Sequence, residues 1–246
     1  MEPWHLPLLA AAGIGVGFMN VMAGGGSLIS MPLLIFLGLE PATANGTNRV
    51  AILIQNITAV SSFRNQGYSE IRRSIGLGLC TIPGAVAGAF AAVAVDPVLF
   101  KRALGGVLIM AVVLIVRKRP TSQNSENGEE RPILAYLAMV GVGFWGGFFQ
   151  AGVGFLIMPI LSQLLRIDLV RVNMHKVFII GMFTLPALIV FALQGKVWWI
   201  GGGSLAIGNA LGAWLATHVT VTRGEPAVRI VFVLAVIAMG VRLILG

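Results

Sequence analysis

The sequence predicts an all-α polytopic membrane protein built from two inverted repeats of about five hydrophobic segments each, with interrupted or re-entrant helices at glycine-rich breaks. Three observations predict it. Hydrophobic residues make up 57% of the chain and charged residues 11%, with a mean hydropathy of +0.91, against about 25% charged in an average soluble protein. The apolar stretches recur with short polar breaks between them. The two halves of the chain also align with each other.

Apolar runs read against breakers give ten segments, at about 6–22, 24–39, 47–63, 74–95, 101–116, 133–149, 151–165, 175–193, 197–217 and 228–245. Several, above all the first two and the pair around Gln150, fall short of the roughly 20 residues a perpendicular span needs. The opening MEPWHLPLLAAAG has no basic n-region or convincing cleavage site, so its helix is expected to stay. The single cysteine, Cys80, lies in an apolar run and reads as a small buried residue. One domain over residues 1–246 is expected: repeat one at about 6–118, a mobile hydrophilic connector at about 117–132, and repeat two at about 133–245.

A net charge of +8 could suggest nucleic acid, but the basic residues sit between hydrophobic spans instead of forming one patch. Counting loops, one side receives Arg64, Arg72 and Arg73, the Arg117–Arg131 connector, Arg166, Arg171, Lys176, Arg223 and Arg229. The other receives Arg49, Lys101, Arg102, Lys196 and Arg242. The richer side is cytoplasmic by the positive-inside rule, which puts both termini outside a bacterial inner membrane.

AGGGSLISMPLL (23–34) aligns with QAGVGFLIMPIL (150–161), Pro32 falling on Pro159. Glu40 then pairs with Asp168, Asn45 with Asn173, Gln66-Gly67 with Gln194-Gly195, and Gly88-Ala89-Phe90 with Gly212-Ala213-Trp214. That register reads as a duplication. Five segments per copy is an odd number, so the second copy enters the membrane from the opposite side. Secondary transporters recurrently use inverted repeats, binding substrate near the midplane at interrupted helices.

Both copies break the apolar run at glycines and then enter a helix: Asn20, Gly24, Gly25, Gly26 and Ser27 in the first, Gln150, Gly152 and Gly154 in the second. The first N–H groups of such a helix lack intrahelical partners and carry the positive end of its dipole. Glycine lets a ligand approach them closely, so the two breaks form a candidate anion cradle. A branched side chain at Gly25 or Gly152 is expected to block it. Gly13, Gly15, Gly17, Gly84, Gly88, Gly208 and Gly212 read as packing residues, and Gly13→Ala as mild.

These residues carry a resemblance. AGGGSLISMPLL, the following GLEPATANGT and their second copy resemble the sulfite exporter TauE/SafE family of bacterial membrane transporters over nearly the whole chain. The resemblance implies a substrate among sulfite, sulfonates and related small sulfur-containing or organic anions, moved outward. The second copy departs from the pattern with Val153 where the first has Gly26.

Asn45 and Thr47, with Asn173 and His175, stand at the start of the next segment of each copy and are further binding candidates, with helix capping as the alternative. Arg49 and Lys176 follow. A cation at a helix start opposes the dipole and suits an anion, which makes them gate candidates, Arg49 at the outer mouth and Lys176 at the inner. Gln55 and Asn56 should face the bundle interior. His218 reads as interfacial, and Trp198-Trp199 beside Lys196 as an aromatic belt.

The implied partners are a small anionic substrate and the lipid bilayer, with no nucleic acid and no fixed oligomeric state. No cofactor, metal or catalytic set is expected. A glycine-lined anion channel is one alternative. An intramembrane hydrolase using Ser27 with His175 or His218 is another, but no G-x-S-x-G elbow surrounds Ser27 and no acid is evident to orient either histidine. Every acidic residue falls in a terminus or loop, which leaves His175 as the group suited to a proton relay and predicts potential-assisted anion export with modest pH dependence.

Overall fold

The computed structural model describes residues 4–68, 70–116 and 130–222. The tenth segment and most of the connector, with Arg223, Arg229 and Arg242, lie outside them. The described residues form nine helices and no strands: α1 (His5–Ala23), α2 (Ser27–Phe36), α3 (Pro41–Asn65), α4 (Ile71–Ala94), α5 (Pro97–Val116), α6 (Pro132–Phe148), α7 (Val153–Leu164), α8 (Leu169–Leu193) and α9 (Trp199–Thr222).

Local chemistry explains the ends. Pro41, Pro97 and Pro132 open α3, α5 and α6, at the position where a missing N–H costs nothing. The Asp96 carboxylate accepts from the N–H groups of Val98 and Leu99, and Asp168 caps α8 by accepting from Val170 and Arg171. Gly24 closes α1 in the left-handed conformation at φ 75°, its N–H bonded to Asn20 O.

α3 and α8 start six residues earlier than the segments expected at 47 and 175. Their polar first turns depress hydropathy, yet Pro41 and Asp168 begin both helices properly. This corrects the expected helix-start position of Arg49 and Lys176: both lie beyond the first turn of their helices, and both are 0% exposed. Asn45 and Asn173 are likewise not caps, since the N-cap positions belong to Glu40 and Asp168.

The surface is inverted relative to a soluble protein. Ile57, Leu79, Phe90, Leu137, Ile189 and Ile207 are exposed, while Asn20, Asn45, Arg49, Gln55, Asn56, Lys176 and Asn209 are buried. Apolar outward and polar inward is the arrangement a bilayer selects. α1, α4 and α8 are long and apolar enough to cross a membrane. α2 and α7, with 10 and 12 residues, rise only about 15 and 18 Å and cannot cross a core of ~30 Å. The Arg131 N–H donates to Leu164 O at 2.8 Å, so α7 folds back along α6 as a hairpin.

Close contacts fix the helix directions. A Cβ on Gly13 would meet Leu205 and Asn209, and one on Gly212 would meet Ile14 and Phe18, so α1 and α9 run parallel. Gly84 faces Val140 and Gly88 faces Phe144, so α4 and α6 run parallel too. Gln55 bonds Asn209 and Ser62 bonds Thr217, aligning α3 with α9. Ser74 meets His175 and Gly78 meets Met182, aligning α4 with α8. α1, α3 and α9 therefore run one way, and α4, α6 and α8 the other.

The packing glycines behave as expected except at two places. Gly15 faces open space, and Gly13 is far from tolerant: an added Cβ would lie 2.6 Å from Leu205 O and 3.0 Å from Asn209 N. The mild effect expected of Gly13→Ala is thus corrected. Gly13→Ala should destabilise by about 1–3 kcal/mol through overpacking, whereas Gly15→Ala should stabilise by roughly 0.5–1 kcal/mol as an ordinary helical substitution. Thermal unfolding of the detergent-purified variants should show melting shifts of opposite sign. Cys80 is half-buried against the cluster around Phe183 and Ile157, not fully buried.

Candidate functional site

The two glycine breaks meet. A Cβ on Gly24 would lie 2.5 Å from Gly154 Cα, so the backbones of the α1–α2 and α6–α7 breaks touch without an intervening side chain. Gly152 holds φ 70° at the start of α7, and Gln150 holds φ 59° just before it. A left-handed glutamine is uncommon. Its side chain is fixed by the Arg49 guanidinium, which donates to Oε1 at 2.8 Å, and by Thr184 Oγ1 at 3.4 Å.

Some of the helix-start donors are already satisfied. Asn20 Oδ1 accepts from the Gly26 N–H at 3.0 Å, while Leu28 and Ile29 donate to Gly25 O and Gly26 O. Asn20 is thus the cap of this break. The N–H groups of Ser27, Val153 and Gly154, at the starts of α2 and α7, donate to no backbone carbonyl outside the helices among the described residues, and Gly154 itself lies against Gly24.

Arg49 and Lys176 make reciprocal contacts. Arg49 on α3 donates to the carbonyls of Gly146 and Gly147, at the C-terminal end of α6. Lys176 on α8 donates to Val21 O at 2.7 Å, in the last turn of α1, and to Asn173 Oδ1 at 2.6 Å. Each cation sits on the negative end of the interrupted helix in the other half. Asn45 extends the pattern by donating to Phe148 O at 2.7 Å. Arg49 also lies 4.8 Å from the Phe191 ring centroid. No carboxylate among the described residues pairs with Arg49, and its Nε–H has no partner.

A chain of amides anchors the first break. Gln55 Oε1 accepts from Asn20 and from Asn209, each at 3.1 Å. Ser30 on α2 donates to Asn48 Oδ1 at 2.6 Å, leaving the buried Asn48 amide N–H groups unpartnered.

The structure thus gathers Asn20, Gly24, Gly25, Gly26, Ser27, Gln150, Gly152 and Gly154 at the breaks, with Asn45, Arg49, Asn173 and Lys176 on the helix ends beside them. Two candidates lie elsewhere. Thr47 Oγ1 accepts from the Trp198 N–H at 2.9 Å and holds the α8–α9 loop. His175 contacts Ser74 and Glu70 instead of the glycines. An acid does therefore stand beside His175: Glu70 is about a hundred positions away in sequence, and spacing could not reveal it. Asn209, Thr184 and Ser30 were also missed, although each is a polar residue inside an apolar run. His218 is exposed against Trp214, and Trp199 is exposed at the start of α9.

Short helices that fold back, backbone breaks that touch inside the bundle and buried cations on helix ends define a membrane transporter, the class that keeps irregular backbone where it lines a site. The chain matches the model of the sulfite exporter TauE/SafE family over residues 9–243 and belongs to that family. It is 26% identical to "Probable membrane transporter protein ORF9" of Sinorhizobium sp, covering 97% of this chain and 92% of that one. A "Probable membrane transporter protein" of Haemophilus influenzae is 26% identical over 91% of this chain and 88% of its own. "Probable membrane transporter protein YfcA" of Escherichia coli K12 is 25% identical over 99% and 91%. No solved structure matches. The protein is a membrane transporter and not an enzyme.

Proposed function

We propose that this transporter is a secondary carrier that exports a small anion, sulfite, a sulfonate or a related sulfur-containing or organic anion, bound where the starts of α2 and α7 converge. The observation that carries the reading is Arg49. A fully buried guanidinium whose partners are all neutral leaves a positive charge inside an apolar-coated bundle. Such a charge is expensive unless something compensates it. A transported anion supplies that compensation each time it binds. The free donors at Arg49 Nε and Asn48 Nδ2, with the N–H groups of Ser27, Val153 and Gly154, offer charge-assisted bonds to its oxygens.

The opposed directions of α1 and α6, and of α3 and α8, support an inverted duplication within one domain. With the arginine-rich end in the cytoplasm of an inner-membrane protein and both termini outside, an inside-negative potential favours anion exit by about 2.3 kcal/mol per charge per 100 mV. The test is radiolabelled flux in proteoliposomes for sulfite, sulfate, sulfonates and small carboxylates. Saturable movement of at least one of these anions is expected. No anion flux above empty liposomes across the panel would overturn the reading.

A further inference from the structure

The arginine-rich end of the bundle holds a cluster the anion site does not use. His175 is fully buried in α8. Its Nδ1 lies 2.8 Å from Ser74 Oγ, and its Nε2 lies 3.3 Å from Glu70 Oε2. Glu70 Oε1 lies 3.3 Å from Arg171 Nε, and Arg171 also contacts Asp168 at 3.3 Å. The charged groups facing the ring are Glu70 and Arg73 from the α4 side and Arg171 from its own helix. Arg73 is engaged by Glu130 at 2.7 Å.

The hydroxyl of Ser74 has a second partner, the Glu70 backbone carbonyl at 3.2 Å. That gives Nδ1 a hydrogen-bond partner in both protonation states of the ring. With a neutral ring, Ser74 donates to Nδ1 and the Nε2–H faces Glu70. With a charged ring, Nδ1–H donates to Ser74 Oγ, the hydroxyl turns to the Glu70 carbonyl, and Nε2–H still faces the carboxylate. One hydroxyl rotation serves both states. The buried Nε2 has no well-formed hydrogen bond at 3.3 Å, and charging the ring favours a shorter contact.

We propose that Glu70, Ser74 and His175 form a proton-binding site whose occupancy ties the start of α4 to the start of α8 and so controls opening at this end. The bound proton makes His175 and Glu70 an ion pair; its loss leaves only the Arg171 contact and the neutral ring. Closure therefore strengthens at low pH and weakens as pH rises through the histidine range of about pH 5–8. At the opposite end, Lys196 bridges the α8–α9 loop to Glu40 at 2.8 Å, and that pair contains no histidine. The proposed proton site thus belongs to one end of the bundle, and the other end serves as the reference for it. The proposal goes beyond anion binding, and its test needs no anion.

The test uses the full chain in nanodiscs, with Cys80→Ala and spin labels at Arg72→Cys and Leu169→Cys, measured by double electron–electron resonance from about pH 4.5 to 8.5, across the histidine range. A second pair, at Thr43→Cys and Leu193→Cys, reports the opposite end. The first distance should be short and narrow at the acid limit and longer at the alkaline limit, while the second stays constant. His175→Gln should abolish the pH response, and Glu70→Gln should give the longer distance throughout. Ser74→Ala removes a bond to either ring state, of which the charge-assisted one to the protonated ring is the stronger, and should lower the transition by about half to one pH unit. A wild-type distance that ignores pH, a response that survives His175→Gln, or a transition unmoved by Ser74→Ala overturns the proposal.

Discussion

Arg49→Gln should reduce anion flux in proteoliposomes by ~100-fold or more while the protein still reaches the membrane, a loss of the size expected when a buried charge-assisted contact is removed. The substitution removes the guanidinium that holds Gln150, Gly146 and Gly147. It therefore removes the charge proposed to attract the substrate and also strands buried acceptors, each costing about 1–3 kcal/mol when left unpaired. Arg49→Lys separates the two effects. Lysine keeps the charge but not the planar fork, so it should transport at an intermediate rate. Wild-type flux in Arg49→Gln, with folding verified by size-exclusion chromatography, would show that the buried charge is not part of the anion site.

The second large effect is expected at the junction of the breaks. Gly24→Ala places a methyl 2.5 Å from Gly154 Cα and imposes a side chain on a residue at φ 75°. Overpacking costs about 1–3 kcal/mol and the left-handed conformation about 1–2 kcal/mol more. Both penalties act on the same contact, so the breaks must separate and flux should be lost. Gly152→Ala isolates the conformational part, because its Cβ would meet nothing closer than Leu28 Cδ2 at 3.6 Å. It should transport better than Gly24→Ala. Equal flux in the two variants would mean that contact between the breaks does not matter.

Much of the architecture was legible because membrane helices announce themselves by hydropathy. The nine described helices fall on the first nine expected segments. The errors came where polar residues lie inside a helix. GLEPATANGTNR reads as a loop because hydropathy cannot distinguish a polar residue facing water from one facing a carbonyl across the bundle. Arg49 therefore reads as a mouth residue, when its partners lie about one hundred positions away on α6 and the following break. The same limit hid Glu70 from His175. Pairing of this kind depends on how helices pack, and no local pattern encodes it. The glycine breaks were visible because the sequence contains them twice, but their mutual contact through Gly24 and Gly154 required the fold.

The central claim is that a negatively charged substrate moves through the junction of the two breaks and is met there by Arg49. Flux of the anion identified by the panel, measured under an imposed membrane potential without a pH gradient, tests it most directly. The account predicts that a potential negative on the anion-loaded side accelerates wild-type flux, that reversing the potential slows it, and that Arg49→Gln removes both responses along with the flux. Wild-type flux that ignores the potential, or anion movement that persists in Arg49→Gln, would contradict it.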